Sequence, residues 1–100
     1  MSKRYFVRLA EHVRIRVSLE LRENRVSNLV VQLEIFIQEW KPVARYDYAH
    51  GFPHRDLLLA DGSKLKEPVE DRDLGRVATR AIEDLKRNWS HYLRRCGYET

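Results

Sequence analysis

The sequence predicts an α+β domain in which an antiparallel β-sheet of about four to five strands is packed on one face by a long C-terminal α-helix. Three observations lead there. From Val13 to Leu21 apolar residues occupy every odd position, with Arg14, Arg16, Ser18 and Glu20 between them, which is the period of a half-buried strand. A second alternation through Leu29, Val31, Leu33, Ile35 and Ile37 reads as its hairpin partner. The tail then changes period: Leu74, Val77, Ala78, Ala81, Ile82, Leu85, Trp89, Tyr92, Leu93 and Cys96 recur at spacings of three and four, one face of a helix.

The first stretch carries the odd pattern back through Tyr5, Val7 and Leu9 but loses it at Glu11, so it is either a separate strand or one long strand with a bulge near Glu11 and His12. Face matching in the hairpin pairs Leu19 with Leu29, Val17 with Val31, Ile15 with Leu33 and Val13 with Ile35, because a slip of one residue would set apolar beside polar. Glu23, Asn24 and Arg25 are left as the tip. The same register sets Arg14 across from Glu34 and Arg16 across from Gln32. A turn around Gln38 to Lys41 leads into a strand from Val43 to Tyr48, with Pro42 at its entrance because proline donates no ladder bond. A five-residue connection, Ala49 to Pro53, joins it to an extended run from His54 to Leu59, and a short fifth strand fits Lys64 to Pro68. The helix runs from about Asp71 to Cys96, capped by Asp71 or Asp73 and stopped by Gly97.

Residues 1–100 read as one domain, since four glycines and three prolines mark no linker and no period repeats. The lone Cys96 forms no internal disulfide, and the first residues lack an uninterrupted apolar run, so a cytoplasmic protein without membrane association is expected. Nineteen Lys and Arg against fifteen Asp and Glu give a net charge of +4, and fourteen of those cations are arginine. Arginine forks suit phosphates and carboxylates, which admits nucleic acid or an acidic protein as partner, while a balance this modest also describes an ordinary solvated surface.

Away from the helix, the sheet should carry Arg14, Arg16, Arg45 and Arg55 with Phe36 and Trp40 among them. Arginines beside aromatics on an open sheet suit single-stranded RNA; cross-strand ion pairs, Arg14 with Glu34 and Asp47 with Arg55, are the plainer account. The densest polar segment runs from Arg45 through Tyr46, Asp47, Tyr48, His50 and His54 to Arg55 and Asp56. Two histidines near one phosphate-binding arginine are the parts of a metal-independent ribonuclease, with His50 and His54 exchanging protons, Arg45 or Arg55 holding the phosphate, Tyr46 or Tyr48 positioning it and Asp47 orienting a histidine. No cofactor is assigned. His50, His54 and Asp47 or Asp56 are acceptable zinc or manganese ligands, but their spacing matches no closed-site pattern, so no metal is assigned either. A purely structural loop shaped by Asp47, Gly51 and Pro53 remains the competing reading.

Trp40, Arg45-Tyr46-Asp47, Ala49-His50-Gly51 and His54-Arg55-Asp56 give the chain a pattern that resembles a group of small prokaryotic proteins, and more distantly it is similar to TumE-type toxins of bacterial toxin–antitoxin pairs. The resemblance implies an α+β toxin-like protein with a cognate antitoxin that carries a DNA-binding domain. The fuller histidine cluster of the TumE-type segment does not occur here. The functional expectation is therefore a toxin-like RNA-acting protein with His50, His54, Arg45, Asp47 and Arg55 at its site. The alternative is a non-catalytic domain that binds a protein partner or forms a homodimer through the open face or a strand edge.

Overall fold

The computed structural model describes residues 1–49 and 51–99, and the chain runs as six strands followed by one helix. The strands are β1 (Ser2–Ala10), β2 (Val13–Arg22), β3 (Arg25–Ile37), β4 (Glu39–Ala49), β5 (Phe52–Leu58) and β6 (Lys64–Pro68). They form a meander in chain order, antiparallel throughout, and α1 (Leu74–Arg95) crosses over β3, β4 and β5. The sheet thus has six strands where the sequence suggested four to five. The extra count comes from the N-terminal arm, which pairs with β2 as a strand in its own right, turning at Glu11 and His12.

The central hairpin has the expected register from Val13↔Ile35 to Leu19↔Leu29, with Arg14 opposite Glu34 and Arg16 opposite Gln32. Near its tip the register shifts, because Ser27 has no counterpart between Asn28↔Glu20 and Val26↔Leu21. That bulge shortens the tip from three residues to two, Glu23 and Asn24, both at positive φ (53° and 64°), as a tight turn matching the strand twist requires. A second shift lies between Leu33↔Ala44 and Glu34↔Pro42. Val43 is the extra residue there, and the bulge lets Pro42 stand inside β4 rather than at its entrance.

The helix follows its apolar stripe. Asp73 caps the start by accepting from the Arg76 amide, Cys96 closes the end, and Gly97 takes the left-handed conformation (φ 96°) beyond it. Ile15, Val17, Val31, Leu33, Ala81, Leu85 and Leu93 meet in one buried core between the helix and the odd-numbered face of β2 and β3. Trp89 and Cys96 pack at the rim of this core and are only partly buried, whereas Tyr92 lies inside it. Among the described residues no helix is long and apolar enough to cross a membrane.

Candidate functional site on the open sheet face

Strand pairing decides which side chains share the face turned away from the helix. Phe6 pairs with Arg16, Arg16 with Gln32, Gln32 with Arg45, Arg45 with Asp56 and Asp56 with Lys66, giving one row across all six strands. The neighbouring row contains Asp47 and His54, directly opposite each other on β4 and β5.

In the middle of the sheet this face is not a loose surface of solvated charges. Gln32 and Glu34 on β3 are 6% and 5% exposed, sealed beneath the long side chains of their neighbours. Arg14 Nε donates to Glu34 Oε1 (2.8 Å), while Arg16 Nε (3.1 Å) and Gln32 Nε2 (2.7 Å) donate to Oε2. Burial by itself would raise the Glu34 pKa, but the hydrogen bonds from Arg14, Gln32 and Arg16 together outweigh it and hold the carboxyl below its ordinary range. The Arg14 guanidinium also lies between two rings, 4.1 Å from the centre of Phe6 and 3.9 Å from that of Trp40. Phe36 meets Trp40 edge to face at 5.3 Å. Arg14 is therefore part of the frame, and Arg16, Phe6 and Phe36 are the groups it presents.

Farther along the face, Arg45 Nε donates to Asp47 Oδ2 (2.9 Å), and His54 Nε2 stands 2.7 Å from Asp47 Oδ1 without the alignment of a hydrogen bond. His54 is 1% exposed, and its Nδ1 points toward the Phe52 carbonyl at 3.5 Å. Asp56 joins the group: one ligand atom from each of Asp47, His54 and Asp56 falls within 4.8 Å of the others. Among the described residues, neither Asp47 Oδ1 nor Asp56 Oδ1, both buried, has a partner in hydrogen-bond geometry.

Several expected site residues fall elsewhere. Arg55 pairs with Tyr46, not Asp47, so it points under the helix. There it donates to the Tyr92 hydroxyl and to Glu67 Oε1, each at 3.0 Å. Tyr46 likewise faces the helix and donates to Asp84 Oδ2 (2.6 Å), an oxygen that also takes a short bond from Tyr92. Burial, then the Asp84 carboxylate, pushes the Tyr92 pKa up to about 12 and drives that of Tyr46 well above its usual value. Arg55 and Tyr46 are thus structural members of the helix–sheet seam and stand on the side opposite His54. The expected Asp47–Arg55 pair is replaced by Asp47 with Arg45. His50 lies outside the described residues, and the expectation that it shares a pocket with His54 falls there too.

Sequence reasoning missed Asp84 and Glu67 altogether. Asp84, Asn88 and Tyr92 follow one another at helical spacing beside the apolar stripe, a signal that was present, and Asn88 Nδ2 does donate to Asp84 Oδ1 (2.7 Å). Residues 1–99 match the family model described as Domain of unknown function (DUF7718). The chain belongs to the DUF7718 family. No curated protein and no solved structure matches it.

Proposed function

We propose that this DUF7718 chain binds single-stranded RNA across the open face of its sheet, in a toxin-like RNA-acting role. The observation that carries the reading is that Phe6 and Phe36, 57% and 40% exposed, share this face with Arg16 and with Arg4 and Arg8 of β1. Exposed rings offer stacking surfaces to unpaired bases at roughly 1–3 kcal/mol per base, and the arginines meet the phosphates between them. The frame of Arg14, Trp40 and Glu34 holds these groups in place before any ligand arrives. His54 is sealed and both its ring nitrogens are turned inward, which favours binding over acid–base cleavage through that residue.

Fluorescence anisotropy with a labelled single-stranded RNA tests this. Binding should weaken with salt; Phe36→Ala should reduce affinity about tenfold, and Arg16→Ala should lower the salt slope by about one unit. Absence of any salt-dependent binding rules the reading out. The Arg-Tyr-Asp and His-Arg-Asp resemblance extends it to a cognate antitoxin, tested by whether expression arrests growth and a neighbouring gene relieves the arrest.

A homodimer or protein-binding module is the second reading, favoured by β1. This nine-residue edge strand has one side of its ladder unpaired among the described residues, and an exposed Phe6. Light scattering on purified protein separates the two: a stable dimer that binds no RNA supports the second.

A further inference from the structure

We infer that Asp47, His54 and Asp56 form a binding site for a divalent first-row cation of the Zn²⁺ type, a site independent of whether RNA binds the same face. The three side chains come from two neighbouring strands: Asp47 opposes His54 directly, and Asp56 follows His54 by two residues, so all three project to one side of the sheet. One ligand atom from each lies within 4.8 Å of the others. Among the described residues, Asp56 Oδ1 is buried with no hydrogen-bond donor and Asp47 Oδ1, equally buried, has only the misaligned His54 Nε2 at 2.7 Å, while that imidazole is 1% exposed.

Such an arrangement is costly without a cation. A buried carboxylate oxygen left without a donor forfeits its hydration, and two of them together repel. A divalent ion relieves both penalties at once. The donor set is one imidazole nitrogen with carboxylate oxygens, which suits Zn²⁺ better than the all-oxygen cages of Mg²⁺ or Ca²⁺. Two ligands of one such ion sit roughly 3.3 Å apart, so His54 Nε2 and Asp47 Oδ1, now at 2.7 Å, need to separate only by a small side-chain rotation. Arg45, bonded to Asp47 Oδ2 at 2.9 Å, fixes that carboxylate and leaves its other oxygen facing the cluster. It also offsets one of the two negative charges of the carboxylate pair.

Calorimetric titration of the whole chain with ZnCl₂ should show one site, and the melting temperature should rise with Zn²⁺ and fall back on adding EDTA. Asp47→Asn and Asp56→Asn, which keep the side-chain shape, should each weaken Zn²⁺ binding more than tenfold. Should either variant fail to fold, the wild-type protein supplies a second readout. Substoichiometric Zn²⁺ should shift the His54 ring resonances while leaving those of His12 and His91 in place. The inference is overturned if Zn²⁺ does not bind, if both variants bind it unchanged, or if only His12 or His91 responds. It is equally overturned if Asp56→Asn stabilises a protein that binds no cation, since a proton shared with the imidazole then meets the need.

Discussion

Arg55 on β5 stands directly opposite Tyr46 on β4, and both reach beneath α1, where Asp84 and Tyr92 complete one hydrogen-bonded seam. Asp84 accepts from Tyr46, Tyr92 and Asn88. Removing it strands two tyrosine hydroxyls at the edge of the core. Asp84→Ala is expected to destabilise the fold by about 1–3 kcal/mol, read by urea unfolding. It should leave RNA affinity unchanged, because the seam lies on the other side of the sheet.

The same seam makes stability sensitive to alkali. Folding raises the Tyr92 pKa to about 12, so the contribution of that hydroxyl is complete below the unfolded value near 10 and is lost as pH rises through the folded one. Thermal melts taken from pH 9 to pH 12 should decline, and Tyr92→Phe should decline less steeply.

Acid acts on the opposite face. Glu34 has a folded pKa below the ordinary 4.5, so the stability it contributes is present above that pH and is lost as pH falls through the folded value. Glu34→Gln should be less stable than wild type at pH 7 and should lose less on acidification. Equal acid losses in the two proteins would place the acid sensitivity elsewhere.

Arg14→Ala removes a donor to Glu34 and the cation between Phe6 and Trp40 in one step. A loss of about 1–3 kcal/mol is expected, against less than 0.5 for the exposed Arg8→Ala. The comparison distinguishes a framework arginine from a solvated one.

Leu85 is 0% exposed at the centre of the helix stripe, whereas Trp89 sits at the rim. Leu85→Ala should therefore cost about 2–5 kcal/mol, and Trp89→Ala should cost less than the 3–5 kcal/mol typical of a fully buried aromatic. Chemical denaturation of the two variants checks the order.

The sequence by itself determined the α+β class, the central register and the helix, because each is written in a local period: two along β2 and β3, and near 3.6 along α1; between Asp71 and Asp73 as its cap, the structure chose Asp73. It also carried the Arg14–Glu34 pair, which follows from register alone. The tertiary structure decided which face each residue of β5 would occupy. A five-residue connection would have paired Asp47 with Arg55; the strands instead remain paired out to Ala49↔Phe52, which moves the partner of Asp47 by one residue, to His54. Because side chains alternate, that one step turns Arg55 under the helix and brings His54 and Asp56 beside Asp47. No local pattern records it. The length of a turn is set by how two strands meet, and it is that length which assembled the Asp47–His54–Asp56 group.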